Sequence, residues 1–230
     1  MQSGAIDFWI EDGGARTPLT FRTTQLVCCG WTARDPSAAE RHIEELARLG
    51  VARPSTIPIY IRLSPGLMTA ADRMEVTSAA TSGEVECVLL YDGTRRWLTV
   101  GSDHTDRDIE AISVVASKQM CGKYVAPVCW PYDEVESHCD QLRLRSWVTH
   151  DGRTVPYQDG FVASLVPPHD LFNSSVVGAT GAAGLALFAG TIPTLSDVAF
   201  GDRYDLELHD PVLNRTIRGH YHVEVLPQRV

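Results

Sequence analysis

Two glutamates, Glu84 and Glu86, stand two residues apart in the run Ser82-Gly83-Glu84-Val85-Glu86-Cys87-Val88-Leu89-Leu90. The run reads as a strand, so both carboxylates point to one face. Val88 and Leu90 follow on that face, which therefore passes from a cleft into a core. Carboxylates held side by side at the edge of an apolar region repel each other and lose hydration, so they call for a cation, either a basic side chain or a metal. Donors that are all oxygen suit hard ions such as Mg²⁺, Mn²⁺ or Ca²⁺ rather than Zn²⁺. Asp103 is the candidate third ligand. It follows a second strand-like run, Arg96-Trp97-Leu98-Thr99-Val100-Gly101, and the Asp92-Gly93 dipeptide between the runs is a hairpin signal. A hairpin returns Asp103 to the Glu84/Glu86 end. The plainer reading is a solvated strand face with a turn aspartate, and periodicity alone favours it.

The elements around this stretch are mostly strands. Ala5 to Ile10 and Thr17 to Cys29 read as strands with Asp12-Gly13-Gly14 as their turn. A helix follows, with a capping box from Ser37 to Glu40 and a stop at Gly50. Its buried stripe is Ala39, Ile43, Leu46 and Leu49, with His42 inside the stripe and Glu45 at its edge. A His and a Glu three apart on one face can hydrogen-bond, which raises the basicity of the imidazole. The plainer reading is a helix-surface pair. Pro54 to Arg62 reads as a strand, Ile109 to Lys118 as a helix, and Leu142 to Thr149 with Thr154 to Tyr157 as a second hairpin around Asp151-Gly152. Pro168 to Val177 reads as a short helix. Leu185 to Gly190, Arg203 to Leu208 and Thr216 to Val225 read as closing strands.

The order Glu-x-Glu, then Asp-His-Thr-Asp-Arg-Asp from Asp103 to Asp108, then a lysine, resembles the fumarylacetoacetate hydrolase superfamily, in a divergent bacterial branch. The resemblance runs from about Leu26 to the C-terminus. It implies an α+β, β-rich fold, a mixed β-roll with a few short helices. One domain would span residues 1–230, with strands 1–30 packed on a core of 31–230. It also implies a divalent metal, Mg²⁺ or Mn²⁺ (with Ca²⁺ as a crystal substitute), held by Glu84, Glu86 and Asp103. Lys118 would be the substrate lysine, preferred over Lys123 because it ends the helical run; Lys123 then reads as a surface residue. His42 and Glu45 match the family's His-x-x-Glu dyad, although the family's Asn-Tyr is absent and the step from Gly30 to His42 is longer. Arg62 stands where the family has a lysine. Gly190-Thr191-Ile192-Pro193 resembles the family's Gly-Thr-Pro loop, which makes Arg62 and Thr191 the substrate-binding candidates. Plainer roles for these two are a strand-end arginine and a turn threonine. A homodimer is the family's usual state.

Such a site implies metal-assisted chemistry on a 2-oxo acid, whose carboxylate and adjacent carbonyl chelate a hard ion. With His42, oriented by Glu45, activating water, the expected reaction is hydrolysis of a C–C bond in a 2,4-dioxo (acylpyruvate-like) acid through a metal-bound enolate. Without that base the same site suits decarboxylation, hydration or isomerisation of a 2-oxo acid. An inert binding protein on the same fold is the third reading.

The rest of the composition excludes other classes. The 230 residues are 44% hydrophobic and 21% charged, with a net charge of −9. Without a Lys/Arg cluster this disfavours nucleic acid and anionic membranes as partners and favours a small anionic substrate met by local cations. There is no Gly-x-Ser-x-Gly elbow and no phosphate-binding glycine loop. The six cysteines lack zinc spacing and suit reduced thiols in a cytoplasmic setting. The opening residues read as neither signal nor anchor, and no run is long enough to span a bilayer.

Overall fold

The computed structural model describes residues 4–37, 40, 44, 56–174, 177 and 182–228. In chain order the strands begin with β1 (Ala5–Asp12), β2 (Ala15–Arg22), β3 (Gln25–Gly30), β4 (Ile59–Leu63), β5 (Met68–Thr69), β6 (Arg73–Val76) and β7 (Thr81–Ser82). The central stretch supplies β8 (Val85–Tyr91), β9 (Arg96–Asp103), β10 (Thr105–Asp106), helix α1 (Arg107–Glu110), helix α2 (Val114–Gln119), β11 (Lys123–Val125) and β12 (Val128–Pro131). Helix α3 (Tyr132–Val135) leads to β13 (Arg143–His150) and β14 (Arg153–Phe161). Helix α4 (Pro168–Phe172) precedes β15 (Leu185–Thr191), β16 (Arg203–Asp210) and β17 (Arg215–Val225). The expected helix ending at Gly50 falls largely outside the described residues, and His42 and Glu45 lie outside them. Among the described residues no helix is long and apolar enough to cross a membrane.

The strands form a ten-stranded sheet, ordered β2-β1-β12-β9-β8-β15-β3-β4 with β11 paired to β9 and β5 to β11, a five-stranded sheet, ordered β14-β13-β16-β17-β6, and a two-stranded pair of β7 and β10. The two larger sheets are mixed: β1 runs parallel to β12, β15 to β3, β11 to β5 and β17 to β6, and the other pairs are antiparallel. The β-rich α+β roll with short helices is therefore what the chain forms.

Two apolar clusters lie on opposite faces of the large sheet. Val88, Leu90, Trp97, Val125, Phe188, Leu26, Cys28, Ile61 and Leu63 belong to one cluster, whose buried members all come from that sheet. A single sheet can bury a cluster of its own side chains only by curling around it. Cys87, Leu89, Leu98, Val100, Leu187 and Val27 face the other way, onto Leu144, Val148, Tyr204, Leu208 and Tyr221 of the five-stranded sheet. This explains the continuous apolar run of β8, because a strand covered on both faces needs no polar alternation. All six cysteines are buried and free.

Register follows the turn chemistry. The β8–β9 hairpin pairs Tyr91 with Arg96 and Glu86 with Gly101. Asp92 holds the turn by accepting from Thr94 N, Arg95 N and Trp97 Nε1 at 2.7, 2.8 and 2.9 Å. Burial pushes the Asp92 carboxyl up, but these donors outweigh it and hold it at about 2. The sequence expectation of one strand from Thr17 to Cys29 is corrected: the chain breaks at residues 23–24 and its halves join opposite ends of the sheet. The expected helix from Ile109 to Lys118 is likewise two short helices. Asp106 caps α1 by accepting from Ile109 N, and Ser113 caps α2 by accepting from Ala116 N. Ser113 therefore starts a new helix inside the apparent one.

Gly101 is closely approached by its neighbours on the inner face. A Cβ there would lie 2.6 Å from Tyr124 O and from Val88 Cγ2, and 2.9 Å from Phe188 Cε1. Gly101→Ala is therefore expected to cost on the order of 2 kcal/mol and to lower the melting point by about 5 °C. Gly66→Ala, where a Cβ meets nothing within 4 Å, is the control in differential scanning calorimetry. Equal melting points for the two variants would refute the tight-approach reading.

Candidate metal centre

Alternation along the strands places the charged groups. Glu86 shares a face with Val88 and Leu90, Asp103 with Trp97, and Lys123 with Val125, and those apolar residues all line the inside of the roll. The acidic and basic groups therefore meet beside the inner cluster. One oxygen each of Glu84, Glu86 and Asp103 lies within 4.8 Å of the others. Asp103 is fully buried, Glu86 is 1% exposed, and Glu84 is half-buried just before β8.

Three basic side chains face these carboxylates. Lys118 Nζ lies 2.6 Å from Asp103 Oδ2 and 3.2 Å from Glu84 Oε2. Lys123 Nζ lies 2.9 Å from Asp103 Oδ1 and donates to His104 O at 2.5 Å. Arg107 Nη2 reaches Glu84 Oε1 at 3.0 Å, its Nη1 reaches Glu110 at 2.8 Å, and its Nε donates to Ser82 Oγ at 2.7 Å. Burial pulls the Lys118 ammonium down, but Asp103 and Glu84 outweigh it and keep it charged. Burial pushes Asp103 up, and the two lysines hold it well below the usual carboxylate range. Glu84 is also held low against burial, by Lys118 and Arg107. Glu86 goes the other way: burial, Asp103 and Glu84 raise it well above the ordinary value. Counting Glu110, the carboxylates exceed the cations by one when all are ionised, and a proton on Glu86 removes the excess.

Backbone geometry supports Glu86 on its far side. The β15–β8 pairing shifts register between Phe188 and Thr191, and Gly190 takes up the irregularity at φ +91°. Its N–H donates to Glu86 Oε2 at 2.8 Å. A Cβ at this position would meet Thr32 Oγ1 at 1.9 Å, so glycine is required twice over. Thr191 Oγ1 donates to Val85 O at 2.8 Å and accepts from Gln158 Nε2 at 2.8 Å. Gln158 Oε1 accepts from Val85 N at 2.9 Å, tying β14 to the start of the Glu strand.

A second layer reaches across from the five-stranded sheet. Tyr221 OH lies 2.9 Å from Ser102 Oγ and 2.8 Å from His104 Nδ1, and Ser102 Oγ accepts from Glu84 N at 3.1 Å. His104 is fully buried. Burial first, then the Lys123 and Arg107 charges, bring its pKa down to about 3, so it is a neutral positioning group.

The donor set fits a hard divalent cation. It is all oxygen, buried and preassembled, and Glu86 is short of positive charge. The profile of the family described as "Protein of unknown function (DUF2848)" matches residues 29–221. The chain belongs to that family. No curated relative matches the sequence. Solved structures share the fold at low identity. Fumarylpyruvate hydrolase from Pseudomonas aeruginosa, in complex with Mn²⁺ and pyruvate, aligns at TM-score 0.61 and 14% identity over 97% of this chain and 98% of its own. 2-Keto-3-deoxy-D-arabinonate dehydratase, complexed with magnesium and 2,5-dioxopentanoate, aligns at 0.61 and 15% over 94% and 85%. 4-Oxalocrotonate decarboxylase from Pseudomonas putida G7, complexed with calcium and acetate, aligns at 0.55 and 15% over 86% and 76%. These likenesses show that this DUF2848 chain has the fold of the fumarylacetoacetate hydrolase-like enzymes.

The structure brings Glu84, Glu86, Asp103 and Lys118 into one cluster, with Thr191 bonded to its supporting strand. It does not bring Arg62 there. Arg62 lies between Ile61 and Leu63, which line the inner cluster, so its own side chain points away; it is exposed and donates to Gln25 Oε1 at 3.1 Å. The surface reading of Lys123 is also corrected. β11 docks on β9 in a register that sets Lys123 beside Asp103, and the side chain is 0% exposed. Arg107, Gly190, Gln158, Ser102, His104 and Tyr221 were given no role from sequence. Arg107 lies inside the Asp-x-Thr-x-Arg-Asp segment and could have been found there. Tyr221 is 117 residues from His104 and left no local signal.

The raised Glu86 carboxyl has a consequence for stability. Its folded pKa exceeds the unfolded value of about 4.3, so its contribution is complete below that pH and is lost as pH rises through the folded pKa. Chelator-treated wild type is expected to lose stability from about pH 4 upward, and Glu86→Gln to lack that slope and to melt higher at pH 8. Parallel melting curves across this range would refute the assignment.

Proposed function

We propose that the chain is a divalent-metal-dependent enzyme acting on a small 2-oxo acid, and that its reaction is hydrolysis of a C–C bond in a 2,4-dioxo, acylpyruvate-like acid. The observation that carries this reading is the buried convergence of Glu84, Glu86 and Asp103 against Lys118 and Lys123. Mg²⁺ or Mn²⁺ held by the three carboxylates would polarise the oxo-acid carbonyl and offset charge that develops on its oxygen. Replacing the Glu86 proton with a dication leaves the cluster with one net positive charge, which matches a monoanionic ligand.

The residues of the chain have distinct tasks in this reading. Lys118 and Lys123, whose ammonium groups both lie beside Asp103, would offset negative charge developing on an enolate oxygen. The neutral His104, fixed on Tyr221, holds the Lys123 ammonium through its carbonyl and takes no proton from substrate. Water activation falls to His42, oriented by Glu45, as the family resemblance implies. The inner cluster excludes bulk water, which strengthens each of these charge interactions.

A lyase or isomerase on the same 2-oxo acid class is the second reading, because a dehydratase and a decarboxylase share the fold. Both readings are tested by Mn²⁺ titration and a panel of 2,4-dioxo and 2-oxo acids. We expect stoichiometric Mn²⁺ binding, release of two carboxylate products from a 2,4-dioxo acid, and a loss in kcat of at least about 10³-fold for His42→Ala. Turnover of a 2-oxo acid that survives His42→Ala would favour the lyase reading. Absence of both Mn²⁺ binding and turnover would leave an inert binding protein.

A further inference from the structure

Lys118 differs from the other cations of the cluster. Lys123 is also held by the His104 carbonyl, and Arg107 by Ser82 and Glu110. Among the described residues, the hydrogen bonds and ion pairs of Lys118 Nζ are to Asp103 Oδ2 and Glu84 Oε2. Those atoms belong to two of the three candidate ligands. The remaining oxygens of the same carboxylates also face cations: Glu84 Oε1 accepts from Arg107, and Asp103 Oδ1 is ion-paired with Lys123 at 2.9 Å without a hydrogen bond. A dication cannot gain full use of Asp103 and Glu84 unless one basic group lets go. Among the described residues Lys118 has no hydrogen-bond or ion-pair partner outside these two candidate ligands, and its flexible stem springs from α2, a helix of six residues with Val115 and Met120 exposed beside it.

We propose that Lys118 is an internal counter-ion that stands in for the divalent cation: its ammonium bridges Asp103 and Glu84 in the metal-free protein and releases them when the metal binds. This rests on the metal reading proposed above. Its consequence runs against that of an ordinary supporting residue. Removing Lys118 leaves Asp103 and Glu84 short of a partner in the metal-free protein, and it removes repulsion of the dication in the loaded one. Both effects tighten metal binding. If Lys118 were only structural, its loss would loosen the carboxylates and weaken binding.

The test uses the full chain after chelation, with Mn²⁺ alone as the probe, read by titration calorimetry and by melting point. Lys118→Met is expected to melt about 5–10 °C below wild type without metal and to bind Mn²⁺ at least about tenfold more tightly. Lys118→Arg, which keeps the charge, is expected to restore the metal-free melting point and the weaker binding. If Lys118→Met does not fold, Lys118→Gln, whose amide can still donate to Asp103, is expected to shift affinity in the same direction. Equal or weaker Mn²⁺ binding by a folded neutral variant overturns the inference, and leaves the metal reading standing if wild type binds Mn²⁺ and Glu86→Gln does not. Absence of Mn²⁺ binding by wild type and by every Lys118 variant overturns both.

Discussion

Asp103 is a carboxylate with no exposed surface, met on one side by the Lys118 ammonium and on the other by that of Lys123. An ion taken out of water loses several kcal/mol even after the protein relaxes, and only close partners of opposite charge offset that loss. The two lysines come from different elements, α2 and β11, so each must be placed for the carboxylate to be tolerated. β11 is placed by pairing with β9. α2 is placed by its Ser113 cap and by Gln119, whose side chain accepts from Ser64 N at 3.1 Å. The burial of one aspartate thus couples a strand register to a helix start.

The cluster lies where two packing problems meet. The large sheet curls to close its inner apolar cluster, and the charged ends of β8, β9 and β11 lie beside that cluster. The five-stranded sheet covers the other face and sends in Tyr221 and Gln158, which hold Ser102, His104 and the amide of Val85. A buried network of this kind is stable only when its members find partners, and then it rigidifies what it touches. Glu84 and Glu86 therefore sit on backbone held from both sides. That rigidity matters because a preassembled ligand set binds a cation without the entropy cost of ordering it.

Charge balance links the architecture to the proposed chemistry. The cluster is close to neutral with a proton on Glu86, and a dication in place of that proton makes it positive. A site in a chain of net charge −9 would need such a local reversal to attract the oxo-acid anion of the proposed reaction. The fold itself does not select the reaction, since a hydrolase, a dehydratase and a decarboxylase share it. The selection belongs to whichever group moves the proton, and His42 is the residue proposed for it.

Local features of the sequence carried much of the site. The period of two put Glu84 and Glu86 on one face, and Asp92-Gly93 turned the chain so that Asp103 came back beside them; both rules act within a few residues and need no knowledge of the rest of the fold. Lys123, Arg62 and Tyr221 were different. Whether Lys123 meets Asp103 depends on β11 docking against β9, and whether Arg62 faces inward depends on which side of β4 the roll closes over. Tyr221 reaches His104 only because two sheets separated along the chain pack face to face. A residue's own neighbours determine which face of a strand it occupies, whereas what that face meets is decided by pairings between distant segments, and buried charge is satisfied at that second level.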